Sequence, residues 1–129
     1  MRGDLLGRRR GLAQQPGLLL GLRDPYVAAA LYAMHTDLAR PWTVASLART
    51  VGLSRAAFAA RFTSHLGEPA IRYLLALRMQ RARTLLRDQR ATVAAVAAQV
   101  GYQSDVAFAA AFKRETGSSP GAYRRAATR

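Results

Sequence analysis

The feature that most constrains this chain is a helical pattern written twice. Thr43-Val44-Ala45 is matched by Thr92-Val93-Ala94, Leu47-Ala48 by Val96-Ala97, and Val51-Gly52 by Val100-Gly101, each forty-nine residues on. The offset then becomes fifty, with Ser54, Phe58, Phe62 and Gly67 matched by Ser104, Phe108, Phe112 and Gly117. One residue has been inserted between Gly101 and Ser104. Helix starts, helix stops and core aromatics recur in order, so the chain is a two-unit duplication. A solenoid needs more repeats, because each of its units buries its apolar face only against neighbours.

Each unit reads as two short helices around a tight turn. Thr43 or Thr92 is an N-cap acceptor, and the helix it opens has an apolar face of Val44, Leu47, Ala48 and Val51, or Val93, Val96, Ala97 and Val100. Gly52 or Gly101 stops it where the backbone must turn left-handed. Ser54 or Ser104 caps a second helix, with Phe58 and Phe62, or Phe108 and Phe112, four apart on one face. Gly67 or Gly117 ends it. This is the helix-turn-helix pattern. Its steep helix crossing calls for small contact residues, and Ala48 and Ala97 supply them.

From Asp24 onward the periodicity is helical, and no run alternates as a strand does. Asp24-Pro25 starts a helix with Val27, Leu31, Met34 and Leu38 inward, which Pro41 ends. Pro69 opens a long helix to about Arg87, with Ile71, Leu74, Leu75, Met79, Ala82, Leu85 and Leu86 inward. Its nineteen residues make about 28 Å, against roughly 34 Å for a turn of duplex, a length suited to placing two recognition helices in successive major grooves. Ser119-Pro120 starts a last helix containing Tyr123. The expected fold is all-α, about seven helices, with two homeodomain-like helix-turn-helix motifs (43–66 and 92–116) joined by the linker helix 69–87. Residues 24–129 form this domain. Residues 1–23, with five Gly and Arg8-Arg9-Arg10 but no period, read as a flexible basic arm or the remnant of a linker.

Charge narrows the function. Twenty basic residues stand against seven acidic ones, a formal +13. All the basic residues but Lys113 are Arg, which pairs bidentately with phosphate. A GC-rich gene explains Arg in place of Lys but not the shortage of Asp and Glu. A fold needs no such excess, and nucleic acid is the leading reason to carry it. An anionic membrane is the second, but an Arg triplet ahead of the short run Leu18–Leu22 is a weak signal for it. That run lacks a cleavage site, and no stretch nears the roughly twenty apolar residues a membrane span needs. The absence of cysteine removes disulfides, thiolate catalysis and most structural zinc sites, and suits a reducing cytoplasm. His35 and His65 stand without metal spacing and the acids are scattered, so neither an enzyme nor a metal or cofactor is expected. Duplex RNA hides the groove that this motif reads. Double-stranded DNA is therefore the expected partner, and the nucleoid, in the cytoplasm, the expected place.

With the phenylalanines inward, the first recognition helix presents Arg55, Ala56, Ala59, Ala60 and Thr63, and the second Asp105, Val106, Ala109, Ala110 and Lys113. Alanine cannot hydrogen-bond a base edge but can pack, for instance against a thymine methyl. Asp105 can accept from a cytosine amine or, near phosphate, discriminate against wrong sites. Phosphate contacts are expected from the backbone amides at the helix starts capped by Thr43, Ser54, Thr92 and Ser104, and from Arg55, Lys113, Arg114, Arg124 and Arg125. Arg61 or Arg114 is available to compensate for sparse polar readout. On the long helix, Arg72, Arg81, Arg83 and Arg87 read as a solvated face or support, and Arg78 as a buried ion-pair member. Trp42 reads as packing.

Several stretches carry a family resemblance: Pro41-Trp42-Thr43-Val44, Val51-Gly52-Leu53-Ser54, Ala70-Ile71-Arg72-Tyr73-Leu74 through Arg78-Met79, Ala94 to Tyr102, and Ser119-Pro120-Gly121-Ala122-Tyr123-Arg124. Over residues 24–126 the chain resembles the C-terminal domain of the AraC/XylS transcription regulators. The resemblance implies two helix-turn-helix motifs joined by a long helix, binding to promoter DNA, and activation through RNA polymerase. It places base-reading positions on Ala56, Ala59 and Ala60, and on Asp105, Val106, Ala109 and Ala110. Members often carry Arg or Gln where this chain has Ala60 and Ala110, which implies limited polar readout here. The alternative is a largely nonspecific DNA-binding protein or a decayed regulator. Many members carry an N-terminal cupin-like effector domain, for which this chain has no room, so an effector ligand is not expected in it.

Overall fold

The computed structural model describes residues 22–128. Among them all regular structure is helical: α1 (Pro25–Thr36), α2 (Val44–Val51), α3 (Arg55–Leu66), α4 (Ala70–Leu86), α5 (Val93–Gln99), α6 (Asp105–Thr116) and α7 (Pro120–Ala127). The expected basic arm lies outside the described residues except for Leu22 and Arg23. The chain divides into two compact units, one of the residues up to Met34 with Trp42–Tyr73, the other of His35–Pro41 with the residues from Leu74 on. The division falls inside α4, between Tyr73 and Leu74.

In the first unit, Asp24 starts α1 by accepting the Tyr26 and Val27 amides at 2.9 and 3.0 Å. Val27, Ala30, Leu31 and Met34 form the buried stripe of α1, at the three- and four-residue spacing that one helix face requires. Thr43 caps α2 through a full capping box: it accepts the Ser46 amide at 3.0 Å, and its own amide donates to the Ser46 hydroxyl at 2.9 Å. Leu47 and Ala48 are buried on α2. Gly52 closes the helix at φ +84°, a conformation that L side chains resist, and the Leu53 amide then reaches back to the Ala48 carbonyl at 2.9 Å. Phe58 and Phe62 of α3 pack as tilted rings at 5.8 Å, and Phe62 meets the buried Tyr73 edge-on, also at 5.8 Å with 70° between the planes.

The second unit repeats this arrangement. Val96 and Ala97 are buried on α5, and the Tyr102 amide donates to the Ala97 carbonyl at 2.9 Å, as Leu53 does to Ala48. Phe108 and Phe112 pack as tilted rings at 5.7 Å, and Phe112 meets Tyr123 edge-on at 5.6 Å and 73°. The duplication thus extends to Tyr73 and Tyr123, fifty residues apart. The inserted residue lengthens the second turn, and Tyr102 packs against Phe108 at 5.6 Å.

Two expectations are revised. The linker helix begins at Ala70, not Pro69: the Pro69 carbonyl accepts the first intrahelical bond, from Tyr73 at 3.1 Å. It ends at Leu86, giving 17 residues and about 25 Å. Its buried stripe starts with Ala70, Tyr73, Leu74 and Leu77, while Ile71 is 40% exposed. Ile71 sits one position off the stripe that Ala70 sets. Burial, with the Glu68 carboxylate nearby, pushes the Tyr73 hydroxyl up to about 12, so Tyr73 serves the core as a neutral ring.

Candidate nucleic-acid interface

α3 and α6, the expected recognition helices, are each presented by a cap and by two phenylalanines. Ser54 accepts the Ala57 amide at 3.1 Å and Ser104 the Ala107 amide at 3.0 Å. A cap of this kind satisfies the third amide of a helix and leaves the first two without an intrahelical acceptor. Phe58, Phe62, Phe108 and Phe112 are fully buried, which fixes the opposite faces outward.

On α3 the expected face is exposed: Arg55, Ala56, Ala59, Ala60 and Thr63 all reach solvent. No acid lies on α3, so its charge is wholly basic. Arg55 carries that charge at the first helical position. Arg61 is otherwise engaged. It donates to Asp24 at 2.7 Å and lies over the Tyr26 ring at 5.0 Å, so it ties α3 to the start of α1 and is not a spare base reader. His65 joins the same cluster. Its Nδ1 lies 2.9 Å from the Arg61 carbonyl oxygen and its Nε2 3.7 Å from Asp24. Asp24, 6% exposed, is the buried charged residue among those described. Desolvation opposes its ionisation, but the Val27 and Tyr26 amides and the Arg61 guanidinium outweigh that and hold its pKa below the usual value.

On α6, Asp105, Val106, Ala110 and Lys113 are exposed, whereas Ala109 is half-buried. Val106 stands 77% exposed. Arg114 is exposed but pairs with Glu115 at 3.2 Å, which lessens what it offers to a distant partner. Thr43 opens α2 and Thr92 opens α5, where Thr92 accepts the Ala95 amide at 3.0 Å. The seven residues of α5 make about two turns, the shortest dipole among the helices that Thr43, Ser54, Thr92 and Ser104 cap.

Two arginines go elsewhere than expected. Arg124, expected at phosphate, turns its guanidinium onto main-chain carbonyls: Nε donates to Leu86 at 2.9 Å, and the terminal nitrogen to Asp88 and Ala91. It therefore fastens the loop after α4 to α7. Arg78, expected in an ion pair, donates to the carbonyls of Leu38 and Arg40 and so holds the loop after α1. A carbonyl-rich loop end needs donors, and an arginine fork supplies several at once. Sequence carried no signal for these two roles, because a solvated arginine and a carbonyl-binding one are written alike. Among the described residues no cluster of metal-binding side chains occurs and no helix is long and apolar enough to cross a membrane.

Two all-helical units, each presenting a capped helix behind a tight glycine turn, define a helix-turn-helix protein. Residues 47–126 match the model of a helix-turn-helix domain family. A protein of Streptomyces lividans described as an AraC-like transcription regulator is 48% identical over 109 residues, covering 84% of this chain and 36% of that protein. The DNA-binding domain of AdpA, a transcription factor crystallised with a target DNA, superposes with a TM-score of 0.72 at 35% identity, over 80% of this chain and 92% of that one. The C-terminal domain of AraT, a response regulator from Geobacillus stearothermophilus, gives 0.77 at 30% identity, over 82% and 87%. The chain belongs to the AraC/XylS family and is similar over most of its length to that family's C-terminal DNA-binding domain. Family and fold are those of DNA-binding transcription regulators, which are not enzymes. The chain spans about a third of the length of the curated relatives it matches.

Proposed function

We propose that this chain regulates transcription by inserting α3 and α6 into successive major grooves of promoter DNA, acting as an activator through contact with RNA polymerase. The observation that carries the reading is the paired exposure of Arg55, Ala56, Ala59, Ala60 and Thr63 on α3 and of Asp105, Val106, Ala110 and Lys113 on α6, in a chain of net charge +13. Small side chains let a helix approach the groove floor closely, and Arg55 is placed for a guanine or a phosphate. The capped starts at Thr43, Ser54 and Ser104 offer backbone amides to phosphates. Thr92 would do so more weakly, and Ala109 contributes at its exposed edge. Activation and the polymerase partner rest on membership of the family. A promoter-bound regulator works in the cytoplasm, on the nucleoid.

One observation favours a second reading. Ala56, Ala59, Ala60 and Ala110 offer no hydrogen bond to a base, as a largely nonspecific DNA-binding protein or a decayed regulator would not. Footprinting of the chain across genomic DNA separates the two. The regulator reading requires discrete sites, each with two protected stretches about one helical turn, roughly 10.5 base pairs, apart. Uniform protection along the DNA contradicts it and supports the nonspecific reading.

A further inference from the structure

We infer that α6 reads a cytosine through the Asp105 carboxylate and the methyl of an adjoining thymine through Val106. The inference rests on the DNA-binding reading above and names the base chemistry that its second helix selects.

Two adjacent side chains carry it. Val106, 77% exposed, is more exposed than any other large hydrophobic residue among those described. The core of the second unit is filled by residues such as Val96, Phe108 and Phe112, all fully buried, so the fold does not need Val106 to be apolar. Asp105 precedes it at the first helical position, exposed, its carboxylate without a hydrogen bond or ion pair to a described residue. The helix dipole favours an acid there, yet α2, α3 and α5 have no acid in their first turns. In a chain with seven acids against twenty bases, a free carboxylate on a DNA-facing surface repels phosphate unless a donor meets it.

The major groove holds few such donors. Guanine presents only acceptors, at O6 and N7, and thymine an acceptor beside its methyl. Adenine offers its N6 amine next to the N7 acceptor, which a carboxylate repels. Cytosine N4 has the guanine O6 acceptor on one side only and a C–H on the other, whereas adenine N6 lies between two acceptors, so Asp105 favours cytosine over the other three bases. Val106 has a branched apolar tip and no polar atom, which matches the thymine C5-methyl. Ala110, exposed one turn further on, lets the helix come close enough for both contacts.

The test is selection of binding sites from a random duplex pool with the full chain, followed by titration of single-base variants of the best site. The wild-type protein is expected to prefer cytosine at one position by about fivefold or more. At the neighbouring thymine, replacement by deoxyuridine, which removes only the methyl, is expected to weaken binding severalfold. Asp105→Asn should move the preference from cytosine to adenine, because an amide both donates to N7 and accepts from N6. Val106→Ala should erase the difference between thymine and deoxyuridine and leave the cytosine preference intact. Unchanged thermal midpoints establish that both variants are folded. The inference is overturned if Asp105→Asn changes affinity by the same factor for all four bases, which makes Asp105 only a charge at a helix start. A wild-type protein with no preference at any position overturns the sequence-reading function itself, and this assignment with it.

Discussion

A Cβ placed on Gly101 would stand 2.9 Å from the Arg78 guanidinium, which is itself held by the Leu38 and Arg40 carbonyls at 3.2 and 2.8 Å. Gly101 therefore answers two demands, a φ of +96° and a close approach. Its counterpart Gly52 answers only the first, at φ +84°, with nothing within 4 Å of its Cβ position. The duplication thus supplies its own control.

Gly52→Ala should cost about 1 kcal/mol, the penalty for a side chain in left-handed geometry. Gly101→Ala should cost about 1–2 kcal/mol more, since the Arg78 fork must leave its carbonyls or the turn must move. Urea midpoints of the two variants measure this directly. Equal losses would mean that Arg78 swings aside freely. Adding Arg78→Ala to each variant should bring the two costs together, as a double-mutant cycle reads.

Two exposed-looking arginines should separate by function. Arg55→Ala should leave the thermal midpoint unchanged and lower the salt dependence of DNA binding by about one unit of log K against log[salt]. Arg124→Ala should do the reverse. It orphans the carbonyls of Leu86, Asp88 and Ala91 and should destabilise the second unit by about 1–3 kcal/mol, with the salt slope kept. A large loss of salt slope on removing Arg124 would return it to the phosphate contacts.

Such distinctions mark what the sequence could and could not tell. The caps at Thr43, Ser54, Thr92 and Ser104, the stops at Gly52 and Gly101, and the buried faces of Phe58, Phe62, Phe108 and Phe112 were legible, because each depends on residues within a turn of itself. The partners of Arg78, Arg61 and Arg124 lie 33 to 40 residues away, and no local pattern marks them. The burial of Tyr73 was not legible for a different reason. The apolar stripe of α4 admits two registers one residue apart, and only the aromatic contact with Phe62 selects the one that buries Tyr73 and exposes Ile71. Of the residues proposed to face DNA, the exposed positions on α3 and α6 followed from the phenylalanine spacing, but the half-burial of Ala109 did not.

Asp24 makes the first unit acid-sensitive. Its pKa is lowered in the folded chain from 3.8, so the unfolded state takes up the proton first. The stability it contributes is fully present above 3.8 and is lost as pH falls through the lower folded value. Asp24→Asn keeps an acceptor for the α1 amides but loses the charged bond to Arg61. It should cost about 1 kcal/mol at neutral pH and flatten the loss below pH 4. A variant with an unchanged acid profile would contradict this role.

His35 acts in a separate window. Partial desolvation at the end of α1, reinforced by the Arg81 charge, lowers the pKa of this otherwise exposed ring below 6.5. The unfolded chain therefore binds a proton that the folded chain refuses, and stability declines as pH falls from about 6.5 towards the folded value. His35→Gln should remove that decline. Urea midpoints at pH 7.5 and pH 5.5 should differ for the wild type and coincide for the variant, apart from the general trend shared by both.

Whether this duplicated helical pair reads DNA sequence is decided by titrating the full chain against its selected duplex and against a scrambled duplex of equal length and composition, across a salt series. Both affinities should fall steeply with salt, because cationic contacts release counterions, while the selected duplex keeps a preference of about tenfold or more near 150 mM. Affinities that coincide at every salt concentration would contradict the claim and leave a charged protein that binds DNA without reading it.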